Sequence, residues 1–141
     1  MTPTRVFILF ACTCFFPFFV GCSGSGPEMG NVTGRITLDG NPVVQATICF
    51  HPSDGRAASA GISDANGKYT LLFSESRKGA MIGEHKVTIS TFRPETTGDR
   101  EGEFNPAVQE SIPAKFTSPN TTDLIREVKK GRQVFDFDLS S

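Results

Sequence analysis

Residues 31–52 read NVTGRITLDGNPVVQATICFHP, a strand, a turn and a second strand in continuous sequence. Val32, Gly34, Ile36 and Leu38 alternate with Asn31, Thr33, Arg35 and Thr37. This is the two-residue period of a strand with one face toward a core and one toward water. Asp39-Gly40-Asn41-Pro42 breaks the run, because glycine accepts positive φ without steric cost and proline has no N–H to give to a central ladder. Beyond the break Ala46, Ile48 and Phe50 share one face and Thr47 and Cys49 the other, until Pro52 ends the strand.

The same logic repeats downstream. Ser59 to Ser63 forms a short strand, and Asp64-Ala65-Asn66-Gly67 is a turn with glycine where positive φ is needed. That Asp/Asn/Gly cluster lacks the ligand spacing and closing Glu of a calcium loop, so it reads as a plain turn. Tyr69, Leu71 and Phe73 alternate after it, although Leu72 is apolar too. Gly83 to Thr91 is a strand with Val87 and Ile89 inward; His85 shares their parity but, like His51 at the end of its strand, reads as a partly exposed polar residue. Leu124, Arg126 and Val128 alternate with Ile125, Glu127 and Lys129; Lys130-Gly131-Arg132 turns the chain; Phe135, Phe137 and Leu139 then face one way against Asp136 and Asp138. Outside the N-terminal apolar run, no stretch sustains the three-to-four-residue period of a helix. The expected fold is all-β, about seven short strands in a β-sandwich.

The chain has 141 residues, enough for one modest domain. Its formal net charge of -1 lacks the basic footprint of a nucleic-acid binder. Six of the 13 Phe lie in the first twenty residues, where Arg5 precedes an apolar run from Val6 to Val20 and then Gly21-Cys22. This is the layout of a secretory signal peptide, and the run is shorter than the roughly 20 residues a spanning helix needs. Phe19-Val20-Gly21-Cys22 resembles the lipobox of bacterial lipoproteins, with Phe19 where leucine is usual. The resemblance implies cleavage before Cys22 and acylation of that cysteine, palmitate among its chains. Residues 1–21 are then the signal peptide, residues 22–30 a Gly/Ser-rich tether reaching roughly 25 Å when extended, and residues 31–141 the folded domain. With Cys12 and Cys14 in the signal, Cys49 is left as a strand cysteine acting as a small apolar residue.

Four segments together, VTGRITLDGNPVVQATICFHP, GISDANGKYTL, GEHKVTIS and IPAKFTSPNTTDLIREVKKGRQVFDFDL, resemble the carboxypeptidase-regulatory-like, transthyretin-like domains of bacterial lipoproteins. The resemblance implies a seven-stranded Greek-key β-sandwich of transthyretin-like (prealbumin-like) topology, but no reaction, since fold does not fix function. Hydroxyisourate hydrolases of the wider transthyretin-like group end in Tyr-Arg-Gly-Ser. This chain ends in Asp138-Leu139-Ser140-Ser141, which argues against that activity.

The expected function is therefore a non-enzymatic module with a binding or structural role, exported and lipid-anchored to the bacterial cell membrane or outer membrane. Its partners are membrane lipid through acylated Cys22 and an envelope protein or polysaccharide; no nucleic acid, cofactor or metal is expected. The competing readings are a small envelope hydrolase using His51, His85 or loop carboxylates, and a transthyretin-like ligand carrier. His51 and His85 lack the spacing of a metal motif. Residues 92–110, FRPETTGDREGEFNPAVQE, form a long polar stretch that suits a functional loop or a disordered insertion. Arg93, Glu95, Asp99, Arg100, Glu101 and Glu103 make it the candidate binding loop, because rigid scaffolds place recognition residues on such excursions.

Overall fold

In the computed structural model, which describes residues 26–97 and 102–141, the alternation of residues 31–38 becomes strand β1 (Met29–Leu38). Val32 and Ile36 are fully buried, while Asn31 and Arg35 face solvent. β1 starts at Met29, so the last two residues of the Gly/Ser-rich stretch already belong to a sheet. The chain continues through β2 (Asn41–Pro42), β3 (Thr47–Pro52), β4 (Ser59–Ile62), β5 (Lys68–Thr70), β6 (Leu72–Ser74), β7 (Arg77–Lys78), β8 (Ala80–Met81), β9 (Gly83–Ser90), β10 (Thr96–Thr97) and β11 (Phe104–Asn105). A 3₁₀ turn at Ala114–Phe116 leads to β12 (Ile125–Val128), β13 (Gly131–Val134) and β14 (Phe137–Leu139).

Two six-stranded sheets share one core. The first is built on β1, with β8, β5 and β2 antiparallel to its start, middle and end. β13 and β14 run parallel to β1 in one constant register, from Gly30 opposite Gly131 to Leu38 opposite Leu139, so they are two halves of one interrupted strand. The second sheet, β12-β9-β3-β4-β6-β7, is antiparallel throughout. Val32, Ile36, Phe137 and Leu139 of the first sheet meet Ile48, Phe50, Val87, Ile89 and Val128 of the second in one buried cluster. The Phe50 ring lies 6.2 Å from Phe137 and 6.1 Å from Phe135. Burial of such side chains contributes about 1.5–3 kcal/mol each, which makes this cluster the main source of stability. Phe137 and Leu139 are buried as their alternation with aspartates predicts, and Phe135 is half-buried against them.

The double apolar step at Leu71-Leu72 marks where the chain changes sheets. β5 pairs with β1 and β6 with β4; Leu71 between them is fully buried, and Leu72 turns outward.

The interruption between β13 and β14 has a side-chain cause. Tyr69 lies opposite Gly34, where a Cβ would meet Tyr69 Cε1 at 2.9 Å and the Phe135 carbonyl oxygen at 1.8 Å. Only glycine leaves room there for the Tyr69 ring to cross β1. The Tyr69 hydroxyl donates to Phe135 O at 2.7 Å, and Arg35 N, whose parallel-ladder acceptor would be that carbonyl, donates instead to Asp136 Oδ1 at 2.8 Å. Burial, and then the Asp136 charge, push the Tyr69 pKa well up, so the phenol stays a donor.

Candidate functional site

Past the end of β9 at Ser90, the described residues 92–97 and 102–110 leave the sandwich as an arm. Arg93 and Val108 exchange backbone hydrogen bonds at 3.1 and 2.9 Å, and farther out Thr96 pairs with Asn105 and Thr97 with Phe104. The described flanks of this polar stretch are thus a two-stranded ladder, not a structureless loop. Sequence reading could not see it, because both faces of the ladder are exposed and no apolar alternation marks a strand with no core to face.

The root of the arm is pinned by Glu110. Its Oε1 accepts from Thr91 N at 2.9 Å, Thr91 Oγ1 at 2.8 Å and Ile112 N at 3.0 Å, and its Oε2 accepts from Ser90 Oγ. Thr91 Oγ1 in turn accepts from Ser111 N at 2.8 Å. Partial burial works against the charge, but the donors from Ser90, Thr91 and Ile112 outweigh it and bring the Glu110 pKa down to about 2. The latch therefore joins the outgoing and returning chains with an ionised carboxylate. No sequence signal couples Glu110 to Ser90-Thr91 across nineteen or twenty residues, and it was not among the candidate residues.

Beside the root, Arg93 Nη1 donates to Gln45 Oε1. Gln45 sits at φ 55°, a left-handed conformation that costs a non-glycine residue roughly 1–2 kcal/mol. The buried hydroxyl of Ser63 holds this turn, accepting from Ala46 N at 2.9 Å and donating to Val43 O at 2.7 Å. Between Gln45 and the arm lies an open cavity of about 580 Å³ lined by Arg93, Pro94, Thr96, Asn105, Pro106 and Val108. On the arm, Phe92 is 53% and Phe104 63% exposed, so two aromatic rings stand in solvent on a segment whose described residues add nothing to the buried core.

Of the candidate binding residues, Arg93 sits at the root, and Glu95 and Glu103 are exposed. Asp99, Arg100 and Glu101 lie outside the described residues, as does Cys22. Other chemistry-bearing side chains do not converge with these. His85 is buried on the core side of β9, its ring 5.8 Å from Phe50, with Nε2 donating to Met81 O at 2.7 Å. His51 alternates with the core-facing Phe50 and bonds Thr88 Oγ1 at 3.0 Å on the other face of the sheet. Burial, and then the proximity of His85, lower the His51 pKa, and burial raises that of Cys49. Among the described residues no group of three or more His, Cys, Asp or Glu side chains could hold a metal ion, and no helix is long and apolar enough to cross a membrane.

The arm and the N-terminal segment lie at opposite ends of β1. At its start, Met29 and Gly30 pair with Met81 and Ala80, and Gly30 also with Gly131. At its finish, Leu38 and the turn through Val44 line one concavity with Thr91 and Ser111 of the arm root. Ten residues of strand separate the two, roughly 30 Å. Fold and site together define an all-β, sandwich-like domain carrying a projecting arm. Compared with known proteins, the chain matches no family model, no curated protein and no solved structure.

Proposed function

We propose that the protein is a lipid-anchored, non-enzymatic binding module of the cell envelope, a transthyretin-like Greek-key sandwich held by acylated Cys22 and presenting the 92–110 arm to a partner. The observation that carries this reading is the arm itself, pinned at its root by Glu110 and displaying Phe92 and Phe104 at the end of β1 remote from the N-terminal segment. Exposed aromatics in a polar surround are what protein-binding surfaces are enriched in. The histidines point to opposite faces of one sheet, so they offer no paired acid and base. An envelope protein is favoured over a polysaccharide because the arm also offers backbone ladder edges and Arg93.

Two acyl chains on Cys22 would hold the protein stably, whereas a single chain gives only marginal binding. Fractionation of cells expressing Cys22→Ala tests the anchor: the variant is expected to leave the membrane fraction or to accumulate unprocessed. Retention in the membrane at unchanged apparent mass would overturn it. Replacement of residues 96–103 by Gly-Ser tests the arm: the shortened protein is expected to lose capture of whatever partner the intact protein recovers, and equal capture would remove the arm as the site.

A further inference from the structure

The end of the sandwich where the chain enters gathers several basic side chains. Two separate segments, residues 77–78 and 129–132, bring cations there. β7 contributes Arg77 and Lys78, the β12–β13 turn contributes Lys129 and Lys130, and β13 contributes Arg132. Lys78 and Arg132 line one shallow concavity with Met29, Gly30 and Asn31, and Asn31 pairs directly with Arg132. Arg77 Nη2 donates to Pro27 O at 3.1 Å, so the cluster surrounds the incoming chain.

Acids stand at the same end too, Glu28, Glu127 and Glu84 opposite it, with Glu75 two residues before Arg77, and the ion pairs they form neutralise only part of the charge. Lys130 approaches Glu28 at 3.4 Å and Lys129 approaches Glu127 at 3.5 Å, both pairs well exposed and so weakly bound. Arg56, which reaches the same end through Met81 and Ile82 O, is paired with Asp54 at 2.6 Å. Among the described residues Arg77, Lys78 and Arg132 make no ion pair. Gly79 keeps the cluster close to the entering strand: at φ 103°, a Cβ there would lie 2.1 Å from Gly30 O, so the link from β7 to β8 runs tight against the start of β1.

We infer that this basic end is a docking surface for an anionic bilayer, holding the sandwich upright on the membrane with its arm outward. The inference rests on the reading of Cys22 as the anchor, since an acyl group four residues before Gly26 delivers this end of the domain to the headgroups. Basic side chains near an anionic surface gain roughly fivefold in affinity each, and the gain falls off within a Debye length. Partly unpaired cations thus act only if the anchor brings them within about 10 Å of lipid. The tether is short enough to do so, as its folded part begins by Pro27 and Glu28, whose carbonyls bind Arg77 and Ile82 N. The surface adds orientation to an attachment that the lipid already supplies.

The test uses the full chain as recovered from its host, bound to vesicles of phosphatidylcholine alone or of phosphatidylcholine and phosphatidylglycerol in equal parts. Lysines are acylated by a water-soluble reagent and quantified residue by residue, with Lys68 and Lys115 as internal controls. On the anionic vesicles, labelling of Lys78, Lys129 and Lys130 is expected to fall several-fold relative to neutral vesicles, with Lys68 and Lys115 unchanged and the protection lost in high salt. The double variant Arg77→Glu/Arg132→Glu is expected to abolish the difference while still binding neutral vesicles. Failure to bind neutral vesicles overturns the anchor. Binding to both vesicle types with equal labelling of Lys78, Lys129 and Lys130, or equal protection of Lys68 and Lys115, overturns the docking surface alone.

Discussion

The Asp64–Gly67 turn and the 92–110 arm are both polar, glycine-containing excursions between strands, yet the sandwich uses them in opposite ways. In the turn, Asp64 Oδ1 accepts from Asn66 N and Lys68 N at 2.8 and 2.9 Å, and Gly67, at φ 75°, accepts from Ile36 N at 2.9 Å. Its polar groups fold inward on the sheet, and the next residues send Tyr69 and Leu71 into the core. The arm is fixed to the sandwich chiefly at its root, through Glu110 and Arg93, and turns Phe92 and Phe104 to solvent. Polarity of a connecting segment therefore says little about its role. What distinguishes the two is how the adjoining chain is held: the residues after the turn send Tyr69 and Leu71 into the core, although Ile62 before it is 67% exposed, whereas the described part of the arm meets the sandwich chiefly near its root.

That contrast can be broken by substitution. The largest effect is expected from Phe137→Ala, which empties a fully packed site between Phe50 and Tyr69 and should cost roughly 3–5 kcal/mol in denaturant unfolding. Tyr69→Phe keeps the ring and deletes only the hydroxyl, leaving Phe135 O without its side-chain donor; it should cost about 1–3 kcal/mol and loosen exchange of the Arg35 and Phe135 amides. A smaller, pH-dependent effect belongs to Glu110. Its folded pKa near 2 lies below its ordinary 4.5, so its contribution is complete above about pH 4.5 and is lost as pH falls toward 2. Glu110→Gln should be less stable than the parent at neutral pH, and the gap should close across that acid window; a gap that widens there would mean the carboxylate is not the latch. Phe104→Ser should leave the unfolding midpoint nearly unmoved, because the ring is already in water.

Much of the sandwich was legible because its signals are local. The alternation in β1, β3, β9 and β14 and the Asp-Gly and Asn-Gly turns marked the strand faces, but His85, which reads as a partly exposed strand-end residue, is buried. What was hidden depends on residues far apart in sequence. The parallel register of β1 with β13 and β14 joins positions 101 apart, and the break at Phe135-Asp136 depends on Tyr69 crossing Gly34. The short strands β7 and β8 are too brief to show a period. In the arm, Arg93, Glu95 and Glu103 were flagged by polarity, whereas the root depends on Glu110 meeting Ser90 and Thr91, and the exposed Phe92 and Phe104 read as ordinary apolar residues until their surroundings are known.

The most direct measurement places a photoreactive amino acid at position 104, and in a separate protein at position 62, in the full-length chain, followed by irradiation of intact cells. Ile62 is a matched control, 67% exposed against 63% for Phe104 but on the sheet rather than the arm. A discrete light-dependent adduct is expected from position 104 and not from position 62. Adducts of equal yield from both, or from position 62 alone, would contradict the arm as the place where this protein meets its partner.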